Sequence, residues 1–257
     1  MKNTMKTATK PSHCADNLAV NGRLTGLKRS GNMLAIAAVM LSGHVAAASL
    51  TEIDTAARSL DVTALQQQSN SSQDDYPFAY AQYRLAVTAS VTGKDETLVK
   101  NALNAAAQRL ELLSRSGDAR MQAEALALLA SVRGLQAGLS PLKGAYYGKL
   151  SGDAVKAAAA LDAHNPRLLL VRAILAYQTP ALFGGSTKDA LHYADAAVTA
   201  FSKPCSGICW GGEEAYVWRG LAKKANGDVA GAHADWQAAL QQAPDYGWVR
   251  QLLAKKS

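Results

Sequence analysis

After Leu50 the apolar positions recur every three or four residues almost without interruption, and no stretch shows the strict alternation of a half-buried strand. The pattern predicts helices over 50–68, 76–91, 95–114, 118–137, 151–163, 167–178, 186–201, 213–226, 228–242 and 248–255. The polar run "SNSSQDD", 69–75, reads as a loop. Pro141 to Leu150 also reads as mostly loop, because Gly144 and Gly148 interrupt it, and Ser151 then reads as a helix cap. Joints between helices are short throughout, which predicts consecutive antiparallel pairs.

One joint is longer than its neighbours. The helix from Arg167 must stop at Thr179 because Pro180 follows. The next helix starts at Ser186, with Asp189 three residues on, close to a capping box. Between them lies "TPALFGG", in which Gly184 and Gly185 supply backbone freedom. Phe183 either plugs the end of the helix pair or faces a partner. The residue pattern leaves both open.

The spacing of helices makes a repeat of about 34 residues the first thing to test. From Glu213 to Asp245, Gly220, Ala232, Trp236, Ala239 and Pro244 occupy the small, small, aromatic, small and proline positions of a tetratricopeptide unit. This segment therefore resembles a tetratricopeptide repeat (TPR). It departs where the family has Leu and Tyr, since Arg219 and Lys223 stand there. Ala190, Ala194 and Ala197 repeat the spacing more loosely one unit earlier. The run "NPR", "TP…FGG" and "WG", from Asp162 to Gly211, resembles a group of exported bacterial TPR-like proteins. That resemblance implies an all-α fold of antiparallel helix pairs stacked as a TPR-like solenoid, an envelope location, and no known reaction. More distantly the stretch resembles helical-repeat accessory proteins of periplasmic transporters, which implies ligand handling.

Charge changes the picture only until the N-terminus is set aside. The chain of 257 residues has a formal charge of +7. Residues 1–48 hold Lys2, Lys6, Lys10, Arg23, Lys28 and Arg29 against Asp16, and the rest holds 21 basic and 19 acidic side chains. These are scattered, so a nucleic-acid surface is not expected. Residues 1–48 read as a signal peptide. Lys28 and Arg29 precede the apolar run Met33–Val45, and "AAAS" supplies an A-x-A site with cleavage between Ala48 and Ser49. The expected organisation is signal peptide 1–48, an N-terminal helix with polar linker 49–75, and a TPR-like domain 76–257. The expected location is the periplasm. No apolar run reaches the length of about 18 residues that a membrane span needs, so no stable span is expected after cleavage. Cys205 and Cys209 then form an even pair in an oxidising compartment and read as a short loop disulfide, with two free thiols as the alternative.

Candidate chemistry is sparse. Motifs of nucleotide-binding loops, zinc hydrolases and serine hydrolases are missing, and His164, His192 and His233 lie apart. No catalytic residue, metal or cofactor is expected. Glu213 and Glu214 suit the first turn of a helix. The expected function is a non-catalytic adaptor or scaffold for an unknown protein or peptide, with a transporter component among the candidates. The alternative is a small-molecule-binding accessory with polar groups near Asn165, Arg167 and Tyr177. Two further candidate sites follow. One is the loop Phe183, Gly184 and Gly185. The other comes from the TPR resemblance, which places a partner groove on Glu214, Val217, Leu221 and Lys224 and, one unit earlier, on Leu170, Ala173, Tyr177 and Pro180.

Overall fold

The computed structural model describes residues 49–72 and 74–255. The expected leader, Ala48 included, lies outside the described residues. Eleven α-helices and one 3-10 turn make up the described chain: α1 (Leu50–Arg58), α2 (Val62–Ser71), α3 (Asp75–Val91), α4 (Glu96–Ser116), α5 (Ala119–Leu139), α6 (Gly144–Leu161), α7 (Pro166–Gln178), α8 (Thr187–Phe201), α9 (Gly212–Ala225), α10 (Val229–Gln242) and α11 (Gly247–Ala254), with the 3-10 turn at Ala181–Phe183. The fold is all-α. Pairs α3/α4, α5/α6, α7/α8 and α9/α10 are antiparallel and stack in order as a TPR-like solenoid. The α1–α2 hairpin lies on α3, and α11 packs against α10.

Two elements differ from the sequence pattern. The helix expected over 50–68 breaks at Leu60, whose φ is +59°. The Leu60 and Asp61 amides donate back to Ala57 and Ala56, closing α1, and Asp61 then caps α2 by accepting from the Ala64 amide at 2.9 Å. The loop expected over 69–75 shortens accordingly, since α2 runs to Ser71 and α3 begins at Asp75. The second difference is α6, which covers most of the expected loop 141–150. Ser151 does not cap it. Ser151 is buried in mid-helix, and its hydroxyl donates to the Ala130 carbonyl of α5 at 2.8 Å. Packing on α5 outweighs the low helix propensity of Gly144 and Gly148.

Alanine dominates the core, and this lets helix axes approach closely. The α9/α10 pair shows how. Trp236 is fully buried, and its indole lies over Gly220, where a Cβ would stand 2.4 Å from Nε1. Trp236 Nε1 donates to the Val217 carbonyl at 3.3 Å. Gly227, with φ +92°, makes the turn between the helices. Arg219 and Lys223, the two departures from the repeat pattern, both reach across to buried Asp235: Arg219 Nε lies 2.9 Å from Oδ2, and Lys223 Nζ 2.9 Å from the same oxygen. A charged clamp thus replaces apolar contact at those positions.

Two glycine substitutions separate packing from propensity. Gly152, inside α6, has open space where a Cβ would go, so Gly152→Ala should stabilise by about 1 kcal/mol. Gly220→Ala gains the same propensity but drives a methyl into the Trp236 ring, and overpacking should leave it less stable by about 1–2 kcal/mol. Denaturant unfolding of the two variants should give shifts of opposite sign.

Candidate functional site

The inner helices of the pairs, α3, α5, α7 and α9, would line the partner groove of an open solenoid. Here their inner faces meet each other. On α3 the positions Tyr76, Tyr80 and Arg84 follow at four-residue spacing and so share one face. Trp210, just before α9, stacks on Tyr80 with ring centroids 4.8 Å apart, and its Nε1 donates to Tyr76 Oη at 3.0 Å. Arg84 Nη1 pairs with Glu214 of α9 at 2.8 Å. Gly211, with φ +93°, lets this stretch close down, because a Cβ there would stand 2.8 Å from Leu170 Cδ2.

The α1–α2 hairpin seals the same region. Arg58 Nη1 pairs with Glu213 at 2.7 Å, and Arg58 Nε with Asp245 at 3.1 Å. Tyr80 Oη donates to the buried Asp54 carboxylate. Burial pushes the Asp54 carboxyl up to about 6. Arg84 and the Tyr80 hydroxyl oppose that rise, and Glu213 and Glu214 add to it. Arg84 Nε is buried without a hydrogen-bond partner. Burial likewise raises the Tyr83 hydroxyl to about 12. This is a packed ionic interior.

The expected groove residues follow from this closure. Val217, Leu170 and Ala173 are buried, and Glu214 is held by Arg84. Tyr177 is half-buried, edge-on to Trp218 at 5.7 Å. Leu221 is half-buried, while Lys224 and Pro180 reach solvent at the end of the stack.

Asn165 and Arg167 are engaged elsewhere. Asn165 caps α7, accepting from the Arg167 and Leu168 amides at 3.0 Å each, while its Nδ2 donates to Glu124 Oε1 at 2.7 Å. Arg167 Nε donates to Glu124 Oε2 at 2.6 Å, and its Nη2 reaches Oε1. "NPR" is therefore a cap, a first-turn proline and an arginine clamped on one fully buried carboxylate. Its polar side chains turn to α5.

The loop Thr179–Ser186 behaves differently. Leu182 is 88% and Phe183 74% exposed, so Phe183 plugs nothing. Gly184 has φ +90°. Gly185 is needed for closeness instead, since a Cβ there would lie 1.7 Å from the Thr179 carbonyl oxygen. The Ser186 amide donates to the Ala176 carbonyl at 2.9 Å, tying the loop to α7, and the Ser186 hydroxyl caps α8 by accepting from the Asp189 amide at 3.1 Å. At the other end of α8, about 22 Å away at 1.5 Å per residue over its 15 residues, Cys205 and Cys209 are disulfide-bonded. Arg120 of α5 donates to the Ser206 carbonyl inside that small loop. The two loops therefore lie at opposite ends.

The alternation of helix directions puts four joints on one edge of the stack: α3–α4, α5–α6, α7–α8 and α9–α10. Contacts across neighbouring joints agree, because Asn226 after α9 donates to the Thr187 carbonyl at the start of α8 at 2.9 Å. An open cleft of about 240 Å³ also spans the start of α4, the end of α5 and the start of α6, lined by Lys100, Leu139, Lys143 and Tyr147 among others. This edge gathers exposed apolar side chains. Leu142 is 100%, Val91 67% and Tyr146 60% exposed, beside Leu182 and Phe183. Sequence reasoning found only Phe183 of these, because the other tips have no distinguishing motif and share an edge only once the helices are paired. It also missed the ionic interior. The available signal was Arg84, a charge on the face that carries Tyr76 and Tyr80.

No protein-family model matches this chain, and no curated protein matches it. Among solved structures the chain is similar to a thermophilic TPR protein of Thermus thermophilus, with a TM-score of 0.49 and 19% identity, over 75% of this chain and 87% of that one.

Two substitutions test the interior. Glu124→Gln leaves the Arg167 guanidinium buried without its counter-charge and should cost about 3–5 kcal/mol. The double variant Glu124→Leu/Arg167→Met should recover most of that loss in the same unfolding assay. Asp54 keeps its proton in the folded chain up to about pH 6 but only to about 3.8 when unfolded. Its contribution is thus full below about pH 4 and lost as pH rises through 6, a loss of about 3 kcal/mol. The stability of wild type minus that of Asp54→Asn should fall by that amount between pH 4 and 7. A flat difference would mean that Asp54 titrates normally.

Proposed function

We propose that this chain is an exported, non-catalytic helical-repeat adaptor that works in the periplasm and meets its partner at the edge formed by the α3–α4, α5–α6, α7–α8 and α9–α10 turns. One observation carries the reading: the inner face of the solenoid is filled by the chain's own side chains, from Tyr80 and Trp210 to Arg84 and Glu214, while the turn edge presents bare apolar ones. Among the described residues, an extended peptide on that face would have to displace these side chains. Phe183, Gly184 and Gly185 remain candidate contact residues, and Lys224 joins them from the end of α9. Export is supported by the basic, apolar and small-residue order of residues 28–49 and fits the Cys205–Cys209 disulfide.

The reading as a ligand-handling accessory of a transport system gains no support from Asn165 and Arg167, whose polar atoms close on Glu124. A transporter component remains a candidate for the adaptor's partner.

Expression of the full chain should yield a periplasmic protein whose sequence begins at Ser49. A photoreactive amino acid at position 183 should give a cross-linked adduct in intact cells, and one at position 177 should give none. Adducts from 177 alone would place the partner on the inner face and overturn the proposal.

A further inference from the structure

We propose that the α1–α2 hairpin is a pH-sensitive latch on the inner face, docked while the buried Asp54 carboxyl keeps its proton and loosened when that proton leaves. The inference goes beyond the reading of the turn edge and does not rest on it.

The composition of the junction carries it. Four carboxyl groups meet there, Asp54, Glu213, Glu214 and Asp245, against two guanidinium groups, Arg58 and Arg84. Both arginines are already engaged. Arg58 holds Glu213 and Asp245, and Arg84 holds Glu214, which also accepts from Trp218 Nε1 at 3.3 Å. Among the described residues, no arginine or lysine comes within ion-pair distance of Asp54. Its hydrogen bond comes from the Tyr80 hydroxyl, which burial raises well above its ordinary range and so keeps neutral. Asp54 is thus the member of the cluster with no counter-charge, and it is 7% exposed.

Every element around Asp54 adds to this account. Helix α3 supplies Tyr80 and Arg84, the start of α9 supplies Glu213 and Glu214, and the joint before α11 supplies Asp245 and Tyr246. Helix α1 itself adds Arg58, while its Glu52 is spent on the exposed cap at Ser49. Helix α2 has no ionisable side chain between Val62 and Ser71. A proton on Asp54 removes one negative charge where water cannot screen it. When the proton leaves, an unpaired charge faces Glu213 and Glu214, and lifting the hairpin returns that charge to water.

The hairpin is built to move by itself. The Trp210–Tyr80 stack, the Trp210–Tyr76 hydrogen bond and the Arg84–Glu214 pair join α3 to α9 without any residue of α1 or α2. The hairpin's own buried apolar residues are Ile53, Ala56, Ala57 and Leu65, a small hold beside that of the helix pairs. Asp54 keeps its proton to about 6 when docked and to about 3.8 when free. Docking is therefore strongest below about pH 4 and weakens as pH rises through 6, by about thirtyfold between pH 4.5 and 7.5.

Hydrogen exchange of the full chain at about pH 4.5 and 7.5, corrected for intrinsic amide rates, tests the latch. Protection of the α1 and α2 amides should fall about thirtyfold, and dilute urea should not speed their exchange. Amides of α5 and α7 should be better protected at both pH values and sensitive to urea. The Asp54 carboxyl carbon, followed by NMR, should titrate at about 6. Asp54→Asn, uncharged throughout, should keep the hairpin at its acid level of protection at both pH values. Hairpin protection that ignores pH, a pH effect that survives in Asp54→Asn, or hairpin amides with the urea dependence of α5 and α7 overturns the latch. If Asp54→Asn does not fold, the carbon titration decides, and a midpoint near 3.8 overturns the inference. None of these outcomes bears on adducts formed at position 183, so the latch and the edge stand or fall separately.

Discussion

The contact between the first inner helix and the last decides what kind of solenoid this is. Arg84 on α3 pairs with Glu214 on α9, and Trp210 stacks on Tyr80 beside that pair. A stack of helix pairs normally buries only the contacts between neighbours and leaves its concave face open. Here residues more than a hundred positions apart in the chain meet across that face. Arg58 adds Glu213 and Asp245 to the same junction from the N-terminal hairpin. Much of the arrangement is polar and buried, which makes it expensive unless every partner is present.

Closure of the inner face redistributes the work of the conspicuous motifs. "NPR" holds α7 on α5 through Glu124. "WG" brings the start of α9 onto Leu170 and α3. The glycines of "FGG" serve two distinct needs, a left-handed turn at Gly184 and bare contact with the Thr179 carbonyl at Gly185. That tight backbone leaves Leu182 and Phe183 projecting into water. An exposed Leu–Phe tip on a loop tied down by its own hydrogen bonds is not explained by packing, and the same holds for Leu142, fully exposed in the neighbouring turn.

Exposed apolar side chains therefore lie at helix ends and joints rather than on the inner face. Antiparallel pairing places alternate joints at opposite ends of the stack, so any feature repeated in alternate joints becomes a line. Val91, Leu142, Leu182, Phe183 and Val229 thus line up along one edge. No single turn shows this line; it exists only in the stack.

Local information in the sequence was enough for much of the fold. The 3.6-residue period marked most helices, since each must bury one stripe. Ser186 and Gly227 set two of their ends, through a cap and a left-handed turn. The Gly220, Ala232 and Trp236 spacing described one interlocked helix pair, because small residues admit the indole. The cysteine pair was legible from spacing and expected compartment. What tertiary structure decided was non-local. The break at Leu60 and the helix through Gly144 and Gly148 depend on packing against α3 and α5. The fates of Glu214 and Arg167 depend on Arg84 and Glu124, supplied from distant helices. Whether a polar residue faces a ligand or a buried counter-charge is a property of what lies opposite it, and only the packed chain brings the opposite side.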